Sequence, residues 1–349
     1  MKLKELEITK FRGIQHLHID GLGKVNVFIG SNNVGKSTLL EAAYMLAAMA
    51  NPFLPSQVNV LREAQYGDLA HIKYLFNKVR INEHPIIKGT SADNLHRSVE
   101  IAVTIGVKTS GTDNVVGLSS NDSTPINGVE LICDDGTQQY STKLSNENGK
   151  LGITSTIQHI DARYKSVLIS SSSKEGNVLE SYSELVRRQL KDSIIKALRN
   201  FDVRITNIEA LSDGLYLQFE GMDELLPLTM AGDGVRRYLG IVSHVIDPTT
   251  DIVLIDEIEN GLHYTAYSKL WESLILSALS NNVQLFVTTH SKETLRCLAE
   301  TYSKLKDKLT SDDVRVYTID QELNGEQHVY ALSAEGLQGA IESNIEIRK

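Results

Sequence analysis

Short runs in which apolar and polar residues alternate open the chain, and each run predicts a β-strand. Residues 6–8 and 14–19 form two such runs, separated by a turn. Residues 24–29 alternate in the same way and predict a half-buried strand, and residues 36–50 follow as an apolar helix rich in Leu, Ala and Met. The start of the chain therefore predicts three strands and then a helix.

Longer apolar runs without alternation mark the second half of the chain. Residues 252–255 and 283–289 are of this kind, and residues 165–169 predict a further core strand. A continuous apolar run is typical of a strand that is buried on both faces of a parallel sheet. A predicted helix at 264–280 separates two of these strands, which is the spacing of a βαβ unit.

Residues 51–164 differ in character from both ends of the chain. They combine a helical segment at 65–79, β-like runs at 99–107 and 129–133, and turn-rich polar stretches such as 109–122. The remaining predicted elements are a helix at 179–200, a hairpin at 203–219 turned at Asp213-Gly214, and a hairpin at 314–332 turned at Asn324-Gly325.

Composition narrows the class of protein. The chain has 349 residues with 41% apolar content, enough for one large or two modest cores. Cys133 and Cys297 stand alone, without the spacing of a zinc site or a disulfide framework. No secretory segment is visible, and the longest apolar stretch is interrupted by Glu41 and is too short to span a bilayer. We therefore expect a cytoplasmic protein without membrane association.

The net charge of −9 argues against a surface that is basic all over and binds nucleic acid by charge alone. A local basic stripe stays open on the predicted helix, where Arg187, Arg188, Lys191 and Lys196 lie mostly away from the apolar face. That apolar face consists of Leu185, Val186, Leu190, Ile194 and Leu198. The stripe is either an ordinary solvated face or a surface that contacts phosphates.

A phosphate-binding loop stands between the third predicted strand and its helix. Residues 30–38, Gly-Ser-Asn-Asn-Val-Gly-Lys-Ser-Thr, match the pattern G-x-x-x-x-G-K-[ST]. The glycines let the backbone approach a phosphate, and the loop N–H groups and the helix N-terminus donate to it. Lys36 is expected to approach the β- and γ-phosphates, and Ser37 to bind Mg²⁺. The expected nucleotide contacts are Asn32, Asn33, Gly35, Lys36, Ser37 and Thr38.

Polar residues end the two apolar strands of the second half. Asp256 and Glu257 follow the first of these strands and His290 the second. Because the carboxyl ends of parallel strands meet at one edge of a sheet, these side chains are expected beside the phosphate loop. Asp256 then holds Mg²⁺, Glu257 polarises the attacking water, and His290 contacts the γ-phosphate or the water. For His290 a purely structural role is the alternative.

Together these motifs resemble the ABC-type ATPases, specifically the soluble group of RecF, the SMC-like proteins and the OLD-like ATPases. The segment Ile8-Thr9-Lys10-Phe11-Arg12-Gly13-Ile14 is similar to the N-terminal strand motif of this group, which implies that Arg12 approaches the phosphates. Residues 228–237 stand where the signature segment lies, and their Gly232-Asp233-Gly234 form with two following arginines is similar to the OLD-like branch. Residues 259–263 resemble the D-loop, and His290 resembles the H-loop histidine.

One departure concerns the Q-loop, because this chain has serines at 170–173 where the family's glutamine would follow a strand. The resemblance otherwise implies an α/β P-loop NTPase: an ABC-type ATPase head with a mixed or parallel core sheet, an antiparallel β subdomain and a helical lobe. Four regions are expected: residues 1–50 with the P-loop, an inserted β/α region at 51–164, a helical lobe and hairpin at 165–228, and the C-terminal part of the core at 229–349.

The resemblance also implies a mechanism. In this family ATP lies between the P-loop of one subunit and the signature segment of another, so a head-to-tail homodimer or higher oligomer with composite ATP sites is expected. Lys36, Glu257 and His290 act in catalysis, Ser37 and Asp256 hold Mg²⁺, and Gly232, Asp233 and Gly234 contact the nucleotide from the other subunit.

Three functions remain open for such an ATPase. The first is an OLD-like subunit that controls a separately encoded effector, such as a nuclease or a toxin, in prokaryotic anti-phage defence. The second is a RecF-like protein that binds DNA during repair, and the third is a scaffold that ATP stabilises and that sequesters a toxic partner. Too few residues follow His290 for an acid-rich Toprim nuclease domain. Asp312-Asp313 is interpreted as a loop before a strand, with nuclease acids as the alternative.

Overall fold

Sixteen strands and eight helices make up the described part of the chain in this computed structural model, which covers residues 3–49, 51–62, 64, 68–105, 126–147, 150–157, 164–170, 178–322 and 325–343. The strands are β1 Leu3–Phe11, β2 Ile14–Ile19, β3 Val25–Ile29, β4 Ile86–Ser91, β5 His96–Ile105, β6 Ile126–Asp134, β7 Gln139–Glu147, β8 Lys150–Ser155, β9 Ser166–Ile169, β10 Ile205–Leu211, β11 Gly214–Phe219, β12 Leu226–Pro227, β13 Ile252–Ile255, β14 Gln284–Thr288, β15 Val314–Gln321 and β16 Gln327–Ser333. The α-helices are α1 Lys36–Ala47, α2 Leu54–Val60, α3 Val178–Arg187, α4 Lys191–Phe201, α5 Asp233–Ile246, α6 Tyr267–Ser280, α7 Lys292–Leu305 and α8 Ala334–Glu342.

A six-stranded sheet in the order β16-β15-β3-β14-β13-β9 forms the centre of the fold. Its strands β15, β3, β14, β13 and β9 pair in parallel, and β16 adds an antiparallel edge. The predicted mixed or parallel core sheet is therefore confirmed. Because the parallel strands end at one edge, the residues that follow β3, β13 and β14 lie together there.

The strand β3 corrects one expectation. All five of its residues are buried, so it is not half-buried as its alternation predicts. The polar position Asn26 faces protein rather than water: its Oδ1 accepts from the Gly23 N–H at 2.7 Å, and its amide nitrogen donates to the Leu285 carbonyl at 3.0 Å. A buried amide that finds such partners avoids the cost of desolvation, and sequence periodicity does not distinguish it from an exposed one.

Two layers cover the central sheet. On one side, the core contains α1 together with an antiparallel sheet in the order β2-β1-β4-β5-β6-β7-β8. On the other side, the core is formed with helices α3 to α8 and the three-stranded sheet β10-β11-β12. The predicted antiparallel β subdomain and helical lobe are thus both present. The antiparallel sheet joins β1 and β2 to five strands from residues 51–164.

Several local predictions change in the structure. The helix predicted at 179–200 is two helices, α3 and α4, because the chain breaks at Gln189, whose φ is +62°. Val186 is exposed rather than part of the apolar face. The segment predicted as a helix at 65–79 forms two 3-10 helices, Leu69–Leu75 and Asn77–Val79. Residues 65–67 and the polar stretch at 109–122 lie outside the described residues.

Both predicted hairpins form, as β10–β11 and β15–β16. Asn324 of the second turn lies outside the described residues. Asp313 accepts hydrogen bonds from the Thr310 N–H and hydroxyl at 2.8 Å, and Asp312 pairs with Arg315 at 2.5 Å. These contacts accord with the interpretation of Asp312-Asp313 as a loop before a strand. Among the described residues, no helix has both the length and the apolar character needed to cross a membrane.

The side chain of Gln284 fastens the first strand to the central sheet. Gln284 is fully buried, and its amide exchanges two 2.8 Å hydrogen bonds with the backbone N–H and C=O of Leu3. A third bond of 2.8 Å goes to the Gly23 carbonyl. The amide therefore supplies the pairing that a neighbouring strand would otherwise supply.

We predict that Gln284→Met lowers the free energy of unfolding by about 3 kcal/mol, because an apolar side chain of similar size leaves the buried N–H and C=O of Leu3 without the Gln284 amide as partner. Chemical denaturation measures the difference. Gln321→Met, at an exposed position of β15, is the control and is expected to change stability by less than about 0.5 kcal/mol. Equal losses in the two variants would contradict the role of the Gln284 amide.

Candidate nucleotide-binding site

An open cleft of about 460 Å³ lies at the carboxyl edge of the central sheet. It brings together most of the residues that the sequence selected as nucleotide, metal or catalytic candidates, along with four that it did not. The lining residues are Gly13, Asn32, Asn33, Gly35, Lys36, Ser37, Thr38, Arg62, Asp256, Glu257, Thr288, His290 and Gln327. Four of these residues lie outside the recognised motifs or have no predicted role in them: Gly13, Arg62, Thr288 and Gln327.

The loop between β3 and α1 has the backbone that its glycines permit. Gly30 and Gly35 have φ values of +148° and +104°, and a Cβ on Gly30 would lie 2.3 Å from the carbonyl oxygen of Ile319. The Lys36 ammonium folds back over the loop and donates to the carbonyls of Gly30 at 2.9 Å and Ser31 at 2.7 Å. Burial lowers the pKa of Lys36, and nearby carboxylates, first that of Asp256, oppose this shift. The loop is therefore preformed around a cation.

Asp256 connects the P-loop helix with the neighbouring strand end. Its Oδ1 accepts from the Ser37 hydroxyl at 3.0 Å and from the Thr288 hydroxyl at 2.6 Å. The Glu257 N–H donates in turn to Thr288 Oγ1 at 2.8 Å, and Glu257 adopts a φ of +48°. A hydroxyl and a carboxylate oxygen that already lie in contact form the donor set that Mg²⁺ prefers, so the residues fit this ion.

His290 is held by Glu259, an acid of the D-loop-like segment for which the sequence predicts no role. The carboxylate of Glu259 accepts from the His290 backbone N–H at 2.9 Å and lies 3.1 Å from His290 Nδ1. Glu259 is nearly buried, whereas half of the His290 side chain is exposed on the cleft. The ring therefore keeps a fixed position while its outer surface stays accessible.

Arg237 links helix α5 to the carboxyl edge of the sheet. Its guanidinium donates to the carbonyl of Asp256 and to the carbonyl of Ser170, each at 3.1 Å. Burial lowers the pKa of Arg237, and the carboxylates of Asp256 and Glu257 oppose this shift. The paired arginines at 236–237 stand out in the sequence, but no sequence pattern assigns them a role. Ser170 is the start of the serine run at the Q-loop position, and residues 171–173 lie outside the described residues.

Gly232, Asp233 and Gly234 do not line this cleft. Gly232 precedes α5 with a φ of +92°, and Asp233 is exposed and pairs with Arg236. Gly234 lies near Gly261 and Leu262 of the D-loop-like segment. Within one copy of the chain, no residue of the signature-like segment lines the cleft, and the contact of this segment with a nucleotide stays a prediction about a second copy.

Arg12 is not among the lining residues, and its contact with a nucleotide stays a prediction. Its guanidinium contacts the Glu41 carboxylate at 2.5 Å and donates to Asn59 Oδ1 at 2.9 Å. Burial lowers the pKa of Arg12, and Glu41 opposes this shift. The arginine that lines the cleft is Arg62, which lies after α2 in a segment without a recognisable motif. Only the tertiary contact with Glu41 identifies it.

The basic residues of the predicted stripe, on α3, α4 and the turn between them, are mostly paired with acids. Arg187 pairs with Glu184, Arg188 with Asp247 at 3.4 Å, and Lys191 with Glu209 at 2.9 Å. Such pairing neutralises much of the stripe, which favours the interpretation of a solvated face over a phosphate-contacting one.

Two protein-family models match parts of this chain. A family model described as "AAA ATPase domain" matches residues 1–184, and one described as "AAA domain, putative AbiEii toxin, Type IV TA system" matches residues 155–296. An ATP/GTP phosphatase of Helicobacter pylori is 25% identical over 351 residues, covering 92% of this chain and 93% of that protein. The DNA replication and repair protein RecF of Clostridioides difficile is 45% identical over 47 residues, 14% of this chain and 13% of RecF.

Solved structures share the fold. The SMC head in a crystal structure with the C-winged helix domain of ScpA has a TM-score of 0.57 and 10% identity, covering 98% of this chain and 100% of that one. An Smc head with an extended coiled coil, bound to the C-terminal domain of ScpA derived from Pyrococcus furiosus, has a TM-score of 0.50 and 9% identity, covering 98% and 99%. The fold is thus that of an SMC head-like P-loop ATPase, as predicted.

We predict that Thr288→Val lowers the free energy of unfolding by about 2 kcal/mol, because the Glu257 N–H loses its partner and the Asp256 carboxylate loses one of its two hydroxyl donors. Thr250 provides a matched control: it is buried, and its hydroxyl has no hydrogen-bond partner among the described residues. Thr250→Val should leave stability within about 0.5 kcal/mol of the wild type or raise it. Denaturation curves that show the same loss for both variants would contradict the bridging role of Thr288.

Proposed function

This chain belongs to the AAA ATPase domain family, and we propose that it binds ATP with Mg²⁺ in the cleft and hydrolyses it. The observation that carries the proposal is the shared Asp256 oxygen, which accepts from Ser37 of the P-loop helix and from Thr288 of the neighbouring strand. The 25% identity to an ATP/GTP phosphatase over nearly the whole chain supports the hydrolytic part.

Each cleft residue then has a chemical task. The Lys36 ammonium neutralises phosphate charge, and Ser37 and Asp256 hold Mg²⁺, which when bound stabilises the charge on the phosphate oxygens. Glu257, fixed through its backbone N–H, accepts a proton from the attacking water. His290, held by Glu259, contacts the γ-phosphate, and Arg62 adds a second cation at the mouth of the cleft.

The proposed assembly is a head-to-tail homodimer around ATP. Its basis is the separation of the signature-like segment from the cleft within one copy, together with the exposure of Gly232 and Asp233. Helix α5 has fourteen residues. Its N-terminus can donate backbone N–H groups to a phosphate of the other copy. ATP would then be part of the interface.

Glu257→Gln is predicted to retain ATP binding and to lower turnover at least about a hundredfold, because the amide cannot take the proton of the attacking water. The ATP-bound dimer should accumulate, which size-exclusion chromatography with ATP and Mg²⁺ detects. Lys36→Ala is the control that should lose binding, and with it the dimer. Unchanged hydrolysis by Glu257→Gln would remove Glu257 from this role.

The biological output that we propose is control of a separately encoded effector by an OLD-like ATPase subunit in anti-phage defence. The second candidate, a scaffold that sequesters a toxic partner, is favoured by the match of residues 155–296 to the model that names the AbiEii toxin and a type IV toxin–antitoxin system. In both cases the nucleotide state determines whether the partner is held.

Affinity purification from native cells tests this output. We expect one small partner, encoded beside this gene, to copurify with the wild type and to be depleted with Lys36→Ala. Toxicity of that partner when expressed alone would favour the scaffold, and nuclease activity would favour the effector. No copurifying protein, together with salt-sensitive DNA binding by the ATP-loaded chain, would support the RecF-like alternative instead.

A further inference from the structure

A buried carboxylate lies between two arginines directly behind the phosphate loop. Glu41 is on α1, five residues after Lys36, and its side chain is only 6% exposed. One carboxylate oxygen accepts from Arg62 Nε at 2.7 Å, and the other contacts Arg12 Nε at 2.5 Å. A carboxylate held in this way is shared by two cations that come from different parts of the chain.

The two arginines differ in exposure. The Arg12 side chain is 10% exposed and is further fixed by Asn59 and the Val58 carbonyl, and its own carbonyl accepts from the Asn77 amide at 2.7 Å. Arg12 thus joins the β1–β2 turn to α2 and to the 3-10 helix beyond it. Its charge serves to neutralise Glu41, because a buried acid without a partner would be costly.

Arg62 has the opposite character. Its side chain is 46% exposed and lines the cleft, and Nη2 lies 3.4 Å from the Thr38 hydroxyl at the end of the phosphate loop. Nε is the atom that Glu41 holds, which leaves Nη2 directed toward Thr38. An arginine fork that is oriented in advance loses less side-chain entropy when it binds an anion.

The charges of Glu41, Arg12 and Arg62 explain why Arg12 contributes to the cleft. A single Glu41–Arg62 pair would present a neutral unit to a phosphate, whereas the trio carries one net positive charge. Since Arg12 is buried and Arg62 is not, that excess charge is available on the cleft side. The trio can therefore hold Arg62 in place without cancelling its attraction for an anion.

We propose that Glu41 is a positioning residue that holds Arg62 at the mouth of the P-loop cleft. In this position Arg62 contacts the phosphates of the bound nucleotide. Arg12 is the counter-ion of Glu41, so Arg62 keeps an effective positive charge. The proposal rests on the proposed ATP site and adds the element that orients its second cation. Glu41 itself touches no phosphate, so its contribution to nucleotide binding passes entirely through Arg62.

A double-mutant cycle tests this dependence, with affinity for the non-hydrolysable analogue adenylyl-imidodiphosphate and Mg²⁺ measured by calorimetry. Arg62→Ala in the wild type should weaken binding about tenfold, which is about 1.4 kcal/mol. In the Glu41→Gln background, the same substitution should weaken binding by less than about twofold, because Arg62 is no longer held. An equal loss in both backgrounds would overturn the proposal.

Arg62→Lys extends the test without disturbing the buried pair. Lysine restores the charge but lacks the Nε–H that Glu41 holds, so its affinity should stay closer to that of Arg62→Ala than to the wild type. Wild-type affinity in Arg62→Lys would show that charge alone suffices and would overturn the positioning role. If Glu41→Gln does not fold, this comparison decides the question alone.

Two controls separate the possible failures. Arg80→Ala removes another half-exposed arginine, which pairs with Glu83 and does not line the cleft, and it should leave affinity unchanged. Loss of binding in Lys36→Ala but not in Arg62→Ala would refute the inference and leave the nucleotide site intact. Absence of binding in the wild type would refute the proposed function itself.

Discussion

Parallel pairing of β3, β14 and β13 is the constraint on which the candidate site depends. Ile255 pairs with Val287, so the next residues, Asp256 and Thr288, lie side by side beyond the strand ends. The pairing of β14 with β3 brings the phosphate loop to the same edge. A register shift of one residue would turn these side chains to the other face and separate the hydroxyls from the carboxylate.

Polar groups inside this apolar framework are placed where strands need extra pairing. Asn26 joins β3 to β14, Gln284 joins β14 to β1, and Thr288 joins the ends of β13 and β14. Each is buried, and each hydrogen-bonds to the backbone of a neighbouring segment. The same residues that specify the register therefore also specify the edge at which the cleft forms.

Charge in the cleft is organised by carboxylates that each hold two groups. Asp256 accepts from two hydroxyls, Glu259 holds both the backbone and the ring of His290, and Glu41 lies between two arginines. Arg237 connects the Asp256 carbonyl to helix α5, whose N-terminus is exposed. Arg237 therefore joins α5 to the strand end that carries Asp256, at a place where the sequence lacks the glutamine of a Q-loop.

The sequence by itself determined the phosphate loop, the strands that end in Asp256 and His290, and the α/β class, because these depend on local patterns: glycine spacing, apolar runs and the turn residues of two hairpins. It did not determine the break at Gln189, the burial of β3 on both faces, or the position of Arg62 on the cleft wall. Each of these depends on what a distant segment places beside the residue. The sequence pattern predicts an exposed Asn26, whereas in the structure its amide donates to the Leu285 carbonyl. Arg62 belongs to no recognisable motif, and only its tertiary contact with Glu41 indicates a role. Local sequence patterns determine which functional motifs are present, and tertiary packing determines which side chains line the cleft.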